Sequence, residues 1–372
     1  MNSGRLRVLI TLDAVGGVWQ YGLDLARGLA ARGAEPVLVV LGPAPDSVQA
    51  QEARRIPRTT VIESGLPLDW LCAGPDPVLD AGRRIADLAA KVKADIVHLN
   101  TPALAAGWAG STPVIAVTHG CVSTWWERAK KDEPLAPDFH WHRELMERGL
   151  RSADRVVAPS TSYARHVARH YGLVQEPRVV HNGRHPISEG KSGEPAARAL
   201  TVGRLWDAVK RMDLLDRIAA RLAVPFDAAG AAVGPHGETI QVANLNLLGQ
   251  LDAAALGARL QERPVFVSAA SFEPFGLAVL EAAQAGCALV LSDIDTFREL
   301  WDGAALFVPE GDEDACLEAI AGLLVQPQSR IALGDAARER AARYHPQAMA
   351  DAMLHIYDEA LSQAPSRGRV AA

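Results

Sequence analysis

The sequence of 372 residues has few cysteines and no excess of basic charge. Its thiols include no Cys-x-x-Cys pair, which argues against a zinc ribbon or a redox motif. The four cysteines are Cys72, Cys121, Cys287 and Cys316. Thiols this sparse are typical of a reducing compartment, so we predict a cytoplasmic protein. The net charge is −6, whereas nucleic-acid binders usually carry a basic excess. No nucleic-acid partner is therefore expected.

Long apolar runs are also scarce. Only Val8 to Leu12 precedes Asp13 at the N-terminus, which is too short for the core of a signal peptide. The stretch from Pro274 to Ser292 is nearly apolar over 19 residues, but polar residues and a glycine interrupt it. We predict a buried helix followed by a buried strand there, not a membrane span.

The charge is unevenly distributed along the chain. Residues 1–185 carry 22 Lys and Arg against 19 Asp and Glu, and the remainder carries 16 against 25. A mildly basic first half would suit an anionic acceptor or peripheral contact with a membrane surface. A solvated face without a binding role is the more frequent explanation of such an excess.

The sequence does have a regular alternation of short β-branched runs and helical patterns, which is typical of parallel strands covered on both faces by helices. The fold class predicted is α/β, with two doubly wound, Rossmann-like parallel-sheet domains that face a cleft. The predicted boundaries are 1–185 for the N-terminal domain, 186–345 for the C-terminal domain and 346–372 for a last helix with its tail. The turn His181-Asn182-Gly183 and a linker over 184–198 separate the two domains.

Ligands of open α/β sheets bind at the carboxyl ends of the strands, so residues that follow strands are the candidates for a site. Gly16 and Gly17 follow the first predicted strand, and paired glycines let backbone N–H groups approach a ligand closely. The full Gly-x-Gly-x-x-Gly pattern is absent, which argues against a dinucleotide site. A tight turn without a ligand is the alternative.

His119 ends the predicted strand Val114–Thr118, where an imidazole can bind a hydroxyl or transfer a proton. Trp125 and Trp126 follow it and would suit a sugar ring, although packing is the commoner role of such a pair. The charged segment Glu127–His142 is either a mobile acceptor loop or a packed helix.

Two cations follow the predicted strand Ala199–Val202. Arg204 supplies a planar fork and Lys210 a mobile point charge, and together they could bind a diphosphate. The alternative is a basic surface turn, because Arg211 is adjacent.

The most informative segment runs from Ser271 to Glu281. Glu273 lies in a loop after a buried strand, where its carboxylate can accept hydrogen bonds from sugar hydroxyls. We expect Pro274 at the first position of a helix. The backbone N–H groups of Phe275, Gly276 and Leu277 would then lie at the N-terminus of that helix and could bind an anion. Glu281 would be an isolated buried carboxylate, satisfied by a ribose diol or by an internal partner.

No metal site and no cofactor are predicted. Asp293-Ile294-Asp295 resembles a metal-binding Asp-x-Asp, but Asp295 is better explained as the N-cap of a short helix, Thr296–Trp301. No other group of Asp, Glu or His is evident at ligand spacing.

Taken together, these residues resemble the retaining glycosyltransferases of family 4 (glycosyl transferases group 1), which have the GT-B fold. The most specific part of the resemblance is Glu-x7-Glu, here Glu273 to Glu281 with Pro-Phe-Gly-Leu after the first Glu. Arg204 with Lys210, His119 and the Gly16-Gly17 turn match further family motifs. One departure is Arg211 after Lys210, where the family often has Gly or Asn.

The resemblance implies transfer of a hexose-type sugar from a nucleoside diphosphate sugar to a hydroxyl acceptor, with retention at the anomeric carbon. It implies that Arg204 and Lys210 stabilise the departing diphosphate and that Glu281 binds the ribose. Glu273 would bind the donor sugar, and His119 would contact a hydroxyl near the reacting centre. No carboxylate nucleophile paired with an acid is evident, so the same-face mechanism, in which the leaving phosphate accepts the acceptor proton, is the hypothesis.

Three alternatives stay open. They are a nucleotide-sugar epimerase, a sugar phosphorylase or sucrose-type synthase, and a non-catalytic nucleotide-sugar-binding protein. The acceptor, whether a sugar, a lipid-linked molecule or a small molecule, is not identified by the sequence, and neither is the donor base.

Overall fold

The protein is described by a computed structural model that covers residues 5–188, 194–235 and 237–363. The chain divides into two compact units. The first comprises Met1–Gly183 and Pro346–Ala372, and the second comprises Arg184–His345. Part of the predicted linker, 189–193, and the tail from 364 onward lie outside the described residues.

The first unit is a seven-stranded parallel sheet in the order β3-β2-β1-β4-β5-β6-β7. The strands are β1 (Arg7–Asp13), β2 (Glu35–Leu41), β3 (Thr60–Glu63), β4 (Ile96–Leu99), β5 (Val114–Val117), β6 (Arg155–Ala158) and β7 (Arg178–Val179). The helices are α1 (Gly17–Ala31), α2 (Ser47–Arg54), α3 (Pro75–Lys91), α4 (Val122–Ala129), α5 (His140–Ser152) and α6 (Thr161–Tyr171). The central strands are buried because helices cover both faces.

The second unit is a six-stranded parallel sheet in the order β10-β9-β8-β11-β12-β13. The strands are β8 (Ala199–Val202), β9 (Phe226–Ala229), β10 (Asn246–Gly249), β11 (Val265–Ser268), β12 (Leu289–Ser292) and β13 (Leu306–Val308). The helices are α7 (Met212–Ala219), α8 (Ala253–Gln261), α9 (Leu277–Gln284), α10 (Asp295–Trp301), α11 (Glu313–Val325) and α12 (Pro327–Ala341). The two doubly wound sheets confirm the predicted fold class.

The last helix, α13 (Pro346–Gln363), packs against α1 in the first unit. Gly28 makes this approach possible, because a Cβ atom there would lie 2.6 Å from the Cβ of Ala350. Arg32 Nη2 donates to Asp351 Oδ2 at 2.6 Å across the same contact. Met349, Met353, Ile356 and Tyr357 join the core of the first unit.

Several local predictions were wrong. Helix α9 begins at Leu277, so Pro274 lies before the helix and not at its first position. Asp295 is the first residue of α10, and Ile294 occupies the N-cap. The Glu127–His142 segment begins in α4 and ends in α5, and residues 130–136 between them are not helical. The stretch from Pro274 to Ser292 is a helix followed by a strand, as predicted. Among the described helices, none has the length and apolarity needed to cross a bilayer.

Candidate functional site

Each sheet has one point where the strand order reverses, and crevices for ligands form there at the carboxyl ends of the strands. In the first unit this point lies between β1 and β4, and in the second it lies between β8 and β11. The segments that follow these four strands hold most of the residues predicted for the site.

The carboxylate of Asp13 stabilises the turn after β1. Asp13 Oδ1 accepts hydrogen bonds from the backbone N–H of Val15 at 2.9 Å and of Gly16 at 3.1 Å. Gly16 is the exposed N-cap of α1, and a Cβ atom added there would meet nothing within 4 Å. Internal packing therefore does not require glycine at this position, and the space over the predicted Gly16-Gly17 turn is open on the Gly16 side.

Three polar side chains meet at the tips of β1, β4 and β5. Asn100 Nδ2 donates to the carbonyl oxygen of Thr11 at 2.6 Å, which fixes the orientation of the amide because a carbonyl only accepts. Asn100 Oδ1 then faces His119 Nε2 at 2.9 Å and His98 Nε2 at 3.1 Å. Since this oxygen only accepts, both imidazoles carry a proton on Nε2.

His98 is fully buried, and its remaining nitrogen has a partner from α13. Nδ1 accepts from the hydroxyl of Tyr357 at 2.8 Å. Burial lowers the pKa of His98 to about 4, although the bond to Asn100 acts in the opposite direction. His98 is therefore neutral at pH 7, in the tautomer that Asn100 selects.

His119 is half-buried, and the Tyr21 ring contacts it edge-on with 4.4 Å between ring centroids. Burial, followed by the proximity of His98, lowers the pKa of His119 to about 3. With its proton on Nε2, the neutral ring presents Nδ1 as a hydrogen-bond acceptor. This arrangement suits the binding of a hydroxyl better than the transfer of a proton at pH 7.

Trp125 and Trp126 lie on α4, after His119. Their ring centroids are 6.2 Å apart, and Trp126 also contacts the ring of Phe139. Trp126 Nε1 donates to the carbonyl oxygen of Glu133 at 3.1 Å. The contacts of Trp126 thus attach α4 to the turn that follows it.

In the second unit, one cavity at the reversal point is lined by residues from both neighbouring strand ends, among them Gly203, Lys210, Ser268, Glu273 and Gly276. Lys210 Nζ lies 2.5 Å from Glu273 Oε2, and both side chains are mostly buried. A short backbone contact joins the two loops, since Ser271 N donates to Val209 O at 2.9 Å. A cation and a carboxylate are therefore presented together to this cavity.

Arg204, the second predicted cation, has different partners. Its side chain is 58% exposed, and Nη2 donates to Asp207 Oδ2 at 2.8 Å. The guanidinium also lies over the ring of Trp206, 5.6 Å from the centroid. Arg204 is not among the residues that line the cavity with Lys210.

The predicted anion-binding turn differs from its expected form. Gly276 is the N-cap of α9 with φ of +93°, a conformation that favours glycine. Phe275 is buried and packs edge-on against Tyr344, so its side chain belongs to the core. Leu277 is the first helical residue, and the first N–H groups of a helix have no partner inside that helix.

Glu281 is not the isolated carboxylate that the sequence predicts. Arg184 Nε donates to Glu281 Oε1 at 2.7 Å, and the two side chains are only 8% and 11% exposed. Gln284, one turn further along α9, donates to the carbonyl oxygen of Arg184 at 2.7 Å. Glu281 thus has an internal partner, and that partner belongs to the same unit.

Two family models match the chain. The model described as Glycosyltransferase Family 4 covers residues 15–186, and the model described as Glycosyl transferases group 1 covers residues 196–326. Together they cover every strand of the two sheets except β1, and all of the residues predicted for the site. The chain belongs to the glycosyltransferases with the GT-B fold.

This glycosyltransferase is similar to phosphatidyl-myo-inositol mannosyltransferases. It is 26% identical to that of Mycobacterium leprae over 373 residues, which cover 94% of each chain. It is 34% identical to that of Mycolicibacterium smegmatis over 118 residues, which cover only 31% of each chain.

Solved structures share the fold of this glycosyltransferase at low sequence identity. Sucrose-phosphate synthase from Thermosynechococcus elongatus matches with a TM-score of 0.79 and 18% identity, over 96% of this chain and all of the other. Anabaena HepE, solved in complex with UDP-glucose, matches with a TM-score of 0.71 and 14% identity, over 95% of this chain and all of the other.

Sequence reasoning missed three groups in this glycosyltransferase, namely Asn100 beside His119, Arg184 beside Glu281, and a cluster of possible metal ligands. Arg184 was assigned to the linker, and nothing in the local sequence links it to Glu281 in α9. The prediction that no other Asp, Glu or His group lies at ligand spacing was wrong, because Glu127, His166 and His170 each offer one ligand atom and these atoms lie within 4.8 Å of one another. The His-x3-His spacing within α6 was the available signal. In the Asp-x-Asp sequence, the carboxylate of Asp293 accepts hydrogen bonds from Arg298 Nε at 2.6 Å and Nη2 at 2.8 Å.

Proposed function

We propose that the protein transfers a hexose-type sugar from a nucleoside diphosphate sugar to a hydroxyl acceptor, with retention at the anomeric carbon. The observation that carries this proposal is the cavity in the second unit, which presents Lys210 and Glu273 at the reversal point of the sheet. The relatives named as mannosyltransferases and the UDP-glucose complex of HepE support the same donor class.

Lys210 and Glu273 exchange partners when the donor binds. In the free protein the ammonium of Lys210 neutralises the carboxylate of Glu273 at 2.5 Å. A diphosphate carries more negative charge than one carboxylate and would recruit Lys210. Glu273 would then accept hydrogen bonds from the hydroxyls of the donor sugar, and Gly276 leaves the N-terminus of α9 open to the phosphate. Arg204 is more exposed, and we assign it the supporting role of adding positive charge for the diphosphate.

The other predicted donor contacts keep narrower roles. Glu281 would bind the ribose while Arg184 holds its carboxylate in place. The Gly16-Gly17 turn would let a ligand approach the backbone of the first unit. Leu277 would contribute its backbone N–H at the start of α9. The buried side chain of Phe275 would hold that backbone in position.

His119 contributes as a neutral hydrogen-bond acceptor. Its Nδ1 would bind a hydroxyl near the reacting centre, while Asn100 keeps the proton on Nε2. The proton of the acceptor hydroxyl then passes to the leaving phosphate in the same-face mechanism, and no covalent glycosyl-enzyme forms. Trapping of a covalent glycosyl-enzyme would contradict this mechanism.

We assign residues 186–345 to donor binding and residues 1–185 to the acceptor side, with 346–372 as the helix that returns to the first unit plus a tail. The acceptor is a sugar, a lipid-linked molecule or a small molecule. The names of the mannosyltransferase relatives make phosphatidylinositol the first acceptor to test.

Donor binding is tested by thermal stabilisation with a panel of nucleoside diphosphates and nucleotide sugars. A ligand at 100 times its dissociation constant stabilises the folded state by about 2.7 kcal/mol. We expect Lys210→Ala to lose this stabilisation and the transferase activity, because the diphosphate then lacks its cation. Product stereochemistry is read from the anomeric proton by NMR.

The matched control is Lys130→Ala, which removes a lysine whose Nζ lies 3.7 Å from Glu133 on the surface of the first unit. This variant should respond to the donor like the unmodified protein. If no nucleoside diphosphate stabilises the protein, the proposed donor site is wrong. Equal loss in both variants would show that Lys210 has no specific role.

A further inference from the structure

The cluster on α4 and α6 lies outside the residues assigned to sugar transfer. His166 and His170 are four positions apart on α6, so their side chains lie on the same helix face. Glu127 projects from α4 toward that face. Its Oε2 lies 2.8 Å from His166 Nε2, and its Oε1 lies 2.6 Å from His170 Nδ1.

These three side chains are the ligand types that zinc and similar divalent cations bind. Neutral imidazole and carboxylate are zinc ligands, and three protein ligands leave a fourth position for water. The ligand atoms all lie within 4.8 Å of one another. A tetrahedral zinc site separates its ligand atoms by roughly 3.3 Å, given bonds of about 2.0–2.1 Å. Small side-chain shifts would therefore convert the hydrogen bonds into a coordination sphere.

A second layer of hydrogen bonds already orients His170. Its Nε2 lies 3.0 Å from Ser123 Oγ, which in turn lies 2.7 Å from the hydroxyl of Tyr171. Ligating histidines usually have such a partner on the nitrogen that does not bind the metal. The His170 side chain is 7% exposed, whereas Glu127 is 49% exposed. The site is thus fixed on one side and open to water on the other.

We propose that Glu127, His166 and His170 bind a borderline-soft divalent cation of the Zn²⁺ class that joins α4 to α6. Such a cation would hold α4, which follows His119 in the chain and carries Trp125 and Trp126, against α6. The proposal does not depend on the donor site, since all three ligands belong to the first unit. Arg143 adds positive charge near His170, which opposes a cation and favours moderate affinity.

The test titrates Co²⁺ into the full chain, without an affinity tag and after treatment with a chelator. Tetrahedral Co²⁺ absorbs in the visible range, and we expect saturation at one ion per chain with displacement by Zn²⁺. His166→Ala and His170→Ala should each weaken binding at least tenfold. Glu127→Gln should also weaken it while it preserves side-chain size, and circular dichroism identifies any variant that fails to fold.

The control variant is His355→Ala. His355 Nε2 lies 3.1 Å from Glu359 Oε1 with the same four-residue spacing on α13, but among the described residues this pair is not part of a three-ligand group. Its removal should leave the titration unchanged. Absence of the visible band at millimolar Co²⁺, or a band that survives both histidine substitutions in α6, would overturn the proposal.

Discussion

At the scale of single residues, the second unit depends on charges that are removed from water and paired with each other. Arg184 and Glu281 are both nearly buried, and their bond of 2.7 Å joins the segment before β8 to α9. Removing one partner of such a pair leaves the other charge buried without compensation. That loss is much larger than the net contribution of the intact pair.

We therefore expect Arg184→Ala to lower the free energy of unfolding by about 3 kcal/mol. The double variant Arg184→Met with Glu281→Met should be closer to the unmodified protein, because it leaves no unpaired charge. Urea unfolding monitored by circular dichroism measures both. A single variant within about 0.5 kcal/mol of the unmodified protein would contradict this account.

The buried histidine at the tip of β4 predicts a dependence of stability on pH. His98 has a folded-state pKa of about 4, whereas an unfolded histidine has a pKa of 6.5. Between these values the unfolded state binds more protons, so stability is complete above pH 6.5 and falls as the pH drops toward 4. The slope reaches about 1.4 kcal/mol per pH unit.

We expect His98→Gln to be less stable at pH 7 but to lose less further stability between pH 6.5 and 4.5. Urea unfolding at a series of pH values gives both slopes. His355→Ala is the control, because His355 is 72% exposed and lies outside the network around His98. An unchanged slope in His98→Gln would assign the pH dependence to other groups.

At the scale of elements, close helix packing depends on glycine where backbones meet. Gly149 in α5 is such a position, because a Cβ atom there would lie 1.8 Å from the carbonyl oxygen of Pro102, which begins a short 3-10 helix, Pro102–Ala105. Gly322 in α11 is the opposite case, since an added Cβ atom would meet nothing within 4 Å.

Gly149→Ala should therefore destabilise the protein by about 2–3 kcal/mol through overpacking. Gly322→Ala should be neutral or stabilising by up to about 1 kcal/mol, because alanine is the better helix former. Thermal and urea unfolding of the two variants provide the comparison. Equal effects would mean that α5 can move away from Pro102 at little cost.

Some strands and helices are predictable from the sequence, and others are not. Strands such as β1 and β11 are mostly apolar and buried, so their positions follow from the hydrophobic pattern of the sequence. Strand β3 is short and only partly buried, and α2 has only two buried residues, so neither has a clear pattern. The start of α9 was misjudged because Pro274 favours a helix start, whereas Gly276 adopts φ of +93° and delays it.

The candidate site was predictable in its residue types but not in its pairing. Strand ends identified His119, Lys210 and Glu273, because ligands of doubly wound sheets bind there. Partners such as Asn100 and Arg184 lie 19 and 97 positions from the residues they contact. Such contacts depend on the tertiary fold, and a single sequence contains no local signal for them.

At the scale of the whole molecule, the first unit is discontinuous in sequence. Its last helix, α13, enters after the second unit is complete, and it contributes four large side chains to the core around α1. The second unit is a single stretch, Arg184–His345. Removal of residues from the C-terminus should therefore affect the first unit and leave the second unit intact.

We expect truncation after residue 345 to remove much of the amide-exchange protection of the first unit. Each large apolar side chain that is lost from the core contributes roughly 1.5–3 kcal/mol, and the sum is comparable with the stability of a whole domain. Stabilisation by a nucleoside diphosphate should persist in the second unit. Hydrogen exchange followed by mass spectrometry resolves the two units, and unchanged protection around α1 would contradict this expectation.

The bond between Tyr357 and His98 has a consequence for how the protein is made. The two residues are 259 positions apart, so the hydrogen-bond network at the tip of β4 is completed only when the last helix has emerged from the ribosome. At about 5–20 residues per second, that is some ten seconds or more after β4 is synthesised. Nascent chains can thus fold the second unit first, while the first unit waits for its final helix. A chain released early therefore lacks the hydroxyl that orients His98, and its strand tips do not reach their final arrangement.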